Sequence, residues 1–175
     1  MGYLRYKGPR VPTNVLTLVQ DCREKQPWAL KGLKYKLKRV VTKLETGDYS
    51  FAGYENQIAI EKKGGLKELT TNISAIDRER FKAALKRLSQ MPVRYLVIED
   101  SLDRVHRVIR ELPPQARIDA YSVFNWVAKI CVEYKIPMIF VGFAKSIKEP
   151  LVNSLIEHII EFDIPNLKQV KNAKR

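Results

Sequence analysis

The sequence predicts an α/β fold in which a central mixed sheet is covered by helices on both faces. Predicted strands and helices alternate through the second half of the 175-residue chain, a pattern typical of parallel or mixed sheets between two helical layers. Residues 136–142 form an unbroken apolar run, which predicts a central strand buried on both faces. The length suits one domain, since a chain of this size buries roughly 70% of its unfolded surface.

The first half of the chain predicts three strands. Residues 15–21 are an apolar run that ends in Asp21, and residues 35–44 place Tyr, Leu and Val among basic residues. Residues 57–62 alternate in apolar character and are predicted as the third strand. We expect residues 49–54 to form the turn between the second and third strands, which would then be a hairpin.

The remaining elements are predicted from helical spacing and from helix start and stop signals. The pair Pro113-Pro114 ends one helix, because proline cannot continue a helical hydrogen-bond ladder. Ser146 and Glu149 have the spacing of a capping box, which predicts the start of the last helix. In order, the elements are helices at 66–73 and 76–88, a strand at 94–99, helices at 103–112 and 118–134, a strand at 136–142 and a helix ending near residue 162.

The predicted domain spans residues 15–163, between a basic N-terminal extension at 1–14 and a basic C-terminal tail at 164–175. No segment approaches the roughly 20 apolar residues of a membrane span, so we expect no membrane partner. A signal-type leader is also missing from the sequence pattern, and an intracellular location is expected. Two cysteines and two histidines are too few for a disulfide framework or a zinc cluster.

The net charge of +13, from 32 basic and 19 acidic residues, predicts a polyanionic partner. Nucleic acid is the leading candidate, and the alternative is a protein that is basic only because of its two termini. Two internal basic runs favour nucleic acid, since they flank a group of acidic residues and could hold phosphate backbone against it. These runs are Lys31, Lys34, Lys36, Lys38, Arg39 and Lys43, and then Arg78, Arg80, Lys82, Lys86 and Arg87.

Asp48, Glu61 and Lys63 form a D-x12-E-x-K pattern. If a turn joins the strands that carry them, Asp48 and Glu61 meet at one end of a hairpin, with Lys63 on the same face as Glu61. Mg2+ prefers oxygen ligands and takes one or two carboxylates, while a lysine can orient the attacking water or neutralise a scissile phosphate. The pattern alone is weak, and the alternative is a solvated hairpin edge.

Asp21 lies at the carboxyl end of the first predicted strand, as Glu61 lies at the end of the third. Sites in open α/β sheets form outside strand ends, so these acids fit one pocket with Asp48. The alternative is that Asp21 and Glu24 are loop residues that pair with neighbouring basic residues in solvent. The pocket is favoured because three acidic residues, Asp21, Asp48 and Glu61, all lie at the ends of predicted strands or at the turn.

Three ordered blocks of the sequence resemble the motifs of the XPF family of structure-specific DNA endonucleases. The family carries V-D-x-R-E, then G-D-Y, then E-R-K-x-x-x-D. Here residues 20–24 read Gln-Asp-Cys-Arg-Glu, followed by Gly47-Asp48-Tyr49 and Glu61-Lys62-Lys63. The resemblance covers residues 15–162 and is greatest to the short, single-domain versions found in viruses of bacteria. It implies a restriction-endonuclease-like nuclease core and, for a viral protein, the cytoplasm of a prokaryotic host.

The resemblance also implies roles for individual residues. Asp21, Asp48 and Glu61 would bind Mg2+, for which Mn2+ would substitute, and Asp21 would join Asp48, Glu61 and Lys63 in catalysis. Two departures from the family pattern are Lys62 in place of arginine and Glu68, which lies one residue beyond the family's last aspartate. The roles of Glu68 and Glu24 therefore stay open. The residues expected to hold the site or the DNA strand are Arg23, Lys62, Arg78, Arg80 and Arg87.

We expect a metal-dependent DNA endonuclease that acts on forks, flaps or junctions in repair, recombination or replication. Its partner would be branched DNA, and a homodimer or a protein partner is left open. The alternative is a non-catalytic DNA-binding or scaffold subunit with the same fold, which the altered Glu68 favours and the retained Asp48, Glu61 and Lys63 oppose. An RNA-binding module is weaker, because the sequence has neither an RNP-like aromatic strand nor a G-x-x-G loop.

Overall fold

The structure is a computed structural model that describes residues 16–75, 77–116 and 118–167. The predicted N-terminal extension and residues 168–175 of the predicted tail lie outside these ranges. So do Val15 and Ile76, the expected first residues of a strand and a helix.

Six strands and five α-helices follow one another along the described chain. They are β1 (Leu16–Asp21), β2 (Leu37–Thr42), β3 (Tyr49–Phe51), β4 (Ile58–Lys63), α1 (Leu66–Ile73), α2 (Arg78–Ser89), β5 (Val93–Ile98), α3 (Val105–Arg110), α4 (Ala120–Val132), β6 (Met138–Phe140) and α5 (Lys145–His158). Short 3-10 turns cover Leu102–Arg104 and Pro114–Ala116, and a π-helical turn at Ile159–Asp163 extends α5.

The strands form one mixed sheet in the order β2-β1-β3-β4-β5-β6. β1 is parallel to β2 and antiparallel to β3, while β3 is antiparallel to β4. β4, β5 and β6 are parallel to one another, so their carboxyl ends lie at the same edge. The predicted α/β class, with a mixed sheet and helices on both faces, is confirmed.

Each face of the sheet has its own hydrophobic core. Helices α1 to α4 pack on one face through apolar side chains spaced three or four residues apart, such as Phe81, Leu85 and Leu88 of α2. Helix α5 and its π-helical extension pack on the other face through Val152 and Ile156, with the loop that carries Trp28. We call these the α1–α4 face and the α5 face.

The hairpin is built from different strands than predicted. β3 occupies Tyr49–Phe51, within the segment expected to be a turn, and Tyr49 pairs with Ile60 of β4. The turn lies at residues 52–57, and β2 pairs with β1 instead. The strand escapes prediction because it is only three residues long and lies between Gly47 and Gly53, which are turn signals.

The strand predicted at 136–142 is an edge strand, not a central one. β6 pairs only with β5 at the border of the sheet described. Met138 and Phe140 contact the α1–α4 core, whereas Ile139 contacts the α5 core. An apolar run therefore indicates that both faces of a strand are buried, but it does not indicate how many strands lie beside it.

The capping box predicted at Ser146 is wrong. α5 begins at Lys145, its N-cap is Ala144 without a side-chain hydrogen bond, and Glu149 pairs with Lys145 at 3.5 Å. The helix predicted at 103–112 is also shorter, since α3 covers only Val105–Arg110. No helix among the described residues is long and apolar enough to cross a membrane.

Candidate active site

Strand β4 separates its three charged residues onto the two faces of the sheet. Ile58 and Ile60 belong to the α5 core and Ala59 to the α1–α4 core, so the alternation of a strand directs Glu61 and Lys63 toward the α1–α4 face. Lys62 points to the α5 face. The prediction that Glu61 and Lys63 share a face is confirmed, since Lys63 Nζ lies 2.8 Å from Glu61 Oε1.

Gly47 lets the chain bring Asp48 directly against β4. Its φ is +79°, and a Cβ there would lie 3.0 Å from the Ile60 carbonyl oxygen, so a larger residue is both strained and obstructed. The Asp48 N–H donates to that same carbonyl at 2.8 Å, and the Asp48 carbonyl accepts from the N–H of Asp21 at 2.8 Å. Asp48 is thereby fixed between the ends of β1 and β4.

Asp48 and Glu61 form a close carboxylate pair, as the sequence predicts. Burial raises the pKa of Asp48, and the negative charge of Glu61 raises it further. The N–H of Lys62 donates to Asp48 Oδ2 at 2.7 Å and opposes this shift in part. The net result is a pKa of about 7 for Asp48, so this carboxyl binds a proton more readily than an exposed aspartate does.

Lys63 is the cation that lies beside the carboxylate pair. Burial by itself would lower the pKa of Lys63, but the charges of Glu61 and Glu68 outweigh burial and raise the pKa. The side chain consequently stays an ammonium ion at neutral pH. It can neutralise charge and donate hydrogen bonds.

Glu68 reaches the site from the first turn of α1. Its Oε1 lies 3.3 Å from Lys63 Nζ, and its Oε2 accepts the N–H of Gly64 at 2.7 Å. The Gly64–Gly65 turn thus absorbs the extra residue of spacing noted in the sequence. Glu68 contacts Lys63 and the chain that follows it.

Asp21 is engaged by its own loop. Its Oδ1 accepts from the N–H and Nε of Arg23 at 2.8 and 2.7 Å. Its Oδ2 accepts from Arg23 Nη2 at 2.9 Å and from the N–H of Leu44 at 2.7 Å. The side-chain hydrogen bond from Arg23 lowers the pKa of Asp21 to about 2. The carboxylate is buried and remains ionised, and it holds Arg23 in place.

Lys62 and Glu24 pair on the α5 face of the sheet. Lys62 Nζ lies 3.2 Å from Glu24 Oε1 and donates to the carbonyl of Gln26 at 2.5 Å. Both side chains are nearly buried, at 4% and 11% exposure. Lys62 thus ties the loop after β1 to β4, and its ammonium group is directed to the protein.

Two cavities meet at Asp48. We call the cavity of about 860 Å3 the large arm and that of about 490 Å3 the small arm. Asp21 lines neither of them, while Glu61 lines the small arm and Glu68 the large arm. The residues common to both arms are Arg23, Asp48, Lys63, Asn72 and Arg80.

The predicted basic residues of α2 divide between the site and the scaffold. Arg80 lines both arms and Arg87 lines the small arm, and both are exposed. Arg78 lines neither arm, and its Nε donates to the carbonyl of Ile73 at 3.1 Å. Arg78 therefore closes the α1–α2 connection, whereas Arg80 and Arg87 face the cavities.

Sequence reasoning missed two acidic residues at the end of β5. Asp100 Oδ2 accepts the N–H of Leu66 at 3.1 Å and Oδ1 accepts from Arg104 at 2.6 Å, so it caps α1 and lines the large arm. Glu99 accepts from the Trp28 indole at 2.7 Å and from Lys148 at 3.0 Å. Their place after a parallel strand is the same signal that identified Asp21.

Asn72 of α1 is another residue that the sequence did not single out for the site. It lines both arms. Its Oδ1 is buried and has no hydrogen-bond partner among the described residues, which is unusual for a buried polar atom. Its neighbours in the sequence, Thr71 and Ile73, give no signal for this placement.

Of the three predicted carboxylate ligands, Asp48 and Glu61 line the cavities and Asp21 does not. Within residues 16–75, 77–116 and 118–167, no three His, Cys, Asp or Glu side chains form a group that could hold a metal ion. The predicted three-carboxylate set is thus not assembled, because Asp21 is turned to Arg23 and Leu44. Asp48 and Glu61 remain, and two carboxyl groups fit Mg2+, which fills its other positions with water and phosphate oxygens.

The mixed sheet between two helical layers is an XPF-like fold. Comparison with protein-family models finds no match, and no curated protein matches the sequence. The fold assignment comes from solved structures.

Two solved structures of XPF from Aeropyrum pernix share this fold. One has a TM-score of 0.59 and 15% sequence identity, and the match covers 87% of this chain and 69% of that chain. The other, a complex with DNA, has a TM-score of 0.57 and 17% identity over 79% of this chain and 62% of that chain. The predicted resemblance to the XPF nuclease domain is confirmed at the level of fold.

Proposed function

We propose that the protein is a divalent-metal-dependent DNA endonuclease that hydrolyses phosphodiester bonds at branched structures such as forks, flaps and junctions. The observation that carries the proposal is the cluster of Asp48, Glu61 and Lys63 where two cavities meet. In an XPF-like fold, this cluster combines anionic ligands and one protonated lysine at one point. Repair, recombination or replication would be the setting.

Asp48 and Glu61 would hold Mg2+, and Mn2+ would substitute for it. The ion would supply Lewis-acid stabilisation of the phosphate and a template for the attacking water. In the reaction, a water oxygen forms a bond to phosphorus in line with the ester bond that breaks, and the products end in a phosphate and a hydroxyl. Asp21 supports this site by fixing Arg23 and the loop that lies beside Asp48.

Lys63 would act on the scissile phosphate as a cation. Its raised pKa keeps it protonated, and Glu61 and Glu68 hold its ammonium group from two sides. A fixed positive charge in a partly dry site stabilises the extra negative charge that develops on the phosphate oxygens in the transition state. Glu68 would be a positioning residue for Lys63.

The exposed basic residues of the arms would bind the DNA backbone. Arg23, Arg80 and Arg87 lie around the carboxylate pair, where phosphate contacts would fix the register of the strand without reading bases. Substrate choice would then depend on DNA shape. The DNA complex of the similar XPF structure supports this proposal.

A non-catalytic DNA-binding subunit with the same fold is a second candidate. It is favoured by the engagement of Asp21, which leaves two carboxylates in place of the expected three. Such a subunit would bind branched DNA and leave it intact in every metal.

Cleavage of labelled fork, flap, splayed-arm and duplex DNA tests the proposal. We expect cutting of the branched substrates with Mg2+ or Mn2+ and none with EDTA. Binding of branched DNA without cutting in either metal would support the non-catalytic subunit. A protein that binds none of these DNAs would contradict both candidates.

A further inference from the structure

The large arm ends at an exposed aromatic side chain. Phe143 follows β6 and is 72% exposed, yet it lines the same cavity as Asp48 and Lys63. Its position follows from the parallel strands, because the carboxyl ends of β4, β5 and β6 share one edge of the sheet. A ligand strand that leaves the carboxylate pair through the large arm therefore passes Phe143.

Phe143 is held in this position from both its backbone and its ring. The N–H of Gly142 donates to the Asp100 carbonyl at 3.1 Å, and the Arg104 guanidinium carbon lies 4.6 Å from the ring centroid. Arg104 is fixed in turn by Asp100 Oδ1 at 2.6 Å. One side of the ring is thus backed by a cation, while most of the side chain stays open to solvent.

A nucleic-acid base fits this arrangement better than other occupants do. A single exposed ring beside exposed basic side chains matches a ligand that offers a flat π-face next to a phosphate. Lys25, Lys67 and Arg80 supply those basic groups in the large arm. Bases inside an intact duplex have their faces covered by stacking, so an unpaired base can use the ring whereas an internal base pair cannot.

We propose that Phe143 is a stacking platform for an unpaired base, so that the large arm takes the single strand of a branched DNA. This inference rests on the proposed function, because it assumes that DNA lies in the cleft. It adds a residue that distinguishes single-stranded from paired DNA. It also gives the substrate a direction across the site.

The small arm offers no such platform. The aromatic residue in its lining is Phe81, which is 5% exposed and packs in the α1–α4 core. Its exposed basic residues, Arg80 and Arg87, can contact the backbone of paired DNA. We therefore assign the single strand to the large arm and the duplex to the small arm.

Binding measurements on the full chain test the platform separately from cleavage. Fluorescence anisotropy with EDTA would compare splayed-arm DNA with blunt duplex of the same length, for the wild type, Phe143→Ala and Phe143→Tyr. We expect Phe143→Ala to weaken splayed-arm binding about 10-fold, as loss of one stacked base does, and to leave duplex binding unchanged. Phe143→Tyr should bind like the wild type. Tyr121→Ala is the control, since Tyr121 is 78% exposed on α4 and lines neither arm.

Abasic sites in the splayed single strand give the second test. If Phe143 stacks on a base, one abasic position should weaken wild-type binding as much as Phe143→Ala does, and the two changes together should add nothing further. Equal binding of the wild type and Phe143→Ala to every DNA, with normal cleavage, would overturn the platform and leave the nuclease in place. Absence of DNA binding by the wild type would overturn both.

Discussion

Lys62 and Lys63 are neighbours in sequence with opposite surroundings. Lys63 faces the carboxylate pair and lines both arms, while Lys62 lies on the α5 side, pairs with Glu24 and lines the large arm only. The strand alternation alone produces this difference. We therefore expect substitutions of the two lysines to affect different properties.

Replacing Lys63 tests catalysis. Lys63→Met should lower the rate of DNA cutting about 100-fold or more, because it removes a charge that stabilises the transition state. Binding of branched DNA in EDTA should change little. Single-turnover cleavage together with anisotropy measures both, and Lys63→Met cutting at the wild-type rate would exclude a role for the ammonium group.

Replacing Lys62 tests stability. Lys62→Met should lower the free energy of unfolding by about 3 kcal/mol, because it leaves Glu24 nearly buried without its partner. Lys67→Met is the matched control on the exposed side of α1 and should change it by less than about 0.5 kcal/mol. Urea denaturation measures both variants. Equal unfolding midpoints would show that the Lys62–Glu24 pair does not hold the loop.

At the scale of elements, the approach of β3 to β4 decides where Asp48 lies. The segment before β3 must pass close to Ile60, and the hydrogen bonds of Asp48 to both β1 and β4 depend on that approach. The element is short and carries little stability of its own, so its position depends on Gly47.

Gly47 and Gly53 have nearly the same φ angle, so their alanine variants separate the effect of that angle from the effect of the close contact at Ile60. Gly47→Ala and Gly53→Ala both place Ala at a φ near +80°, but a Cβ at Gly53 meets nothing within 4 Å. Gly53→Ala should cost about 1 kcal/mol from the left-handed conformation. Gly47→Ala should cost more than about 2 kcal/mol and should also lower cutting, since it displaces Asp48. If urea denaturation gave equal losses of unfolding free energy for the two variants, Gly47 would be required only for its positive φ angle.

The sequence predicted the elements with strong periodicity and missed those set by tertiary contacts. α1 was predicted with its bounds at Leu66–Ile73, because Leu66, Leu69 and Ile73 fall on one helical face. β3 was missed because three residues between glycines have no periodicity to read. The edge position of β6 depends on neighbouring strands, which a local apolar run does not report.

The site shows the same division. That Glu61 and Lys63 share a face was predictable because strand alternation fixes it, whereas the approach of Asp48 depends on β3, which the sequence did not predict. The pairing of Asp21 with Arg23 matches the alternative that the sequence offered, but the hydrogen bond from Leu44 was not predictable, since it crosses 23 positions of the chain. The placement of Asn72 and Phe143 at the cleft likewise depends on how whole elements pack.

At the scale of the molecule, the net charge of +13 supports binding to a polyanion. Exposed basic residues line both arms around the carboxylate pair. Their phosphate contacts would release counterions from DNA, and that release makes affinity depend on salt.

Binding should therefore weaken steeply with salt. Three or four phosphate contacts predict a loss of affinity of about 40- to 150-fold between 50 and 200 mM salt. Anisotropy titrations of splayed-arm DNA at several salt concentrations measure the slope. Affinity that is insensitive to salt in this range would contradict a backbone-binding cleft.

Cleavage by carboxylate variants tests the central claim most directly. Asp48→Asn and Glu61→Gln should each lower metal-dependent cutting of branched DNA by at least about 100-fold. Glu79→Gln should cut like the wild type, because Glu79 is an exposed acid on α2 that lines neither arm. Loss of cutting in both site variants alone is the result that the account predicts. Cutting that persists in Asp48→Asn and Glu61→Gln would contradict it.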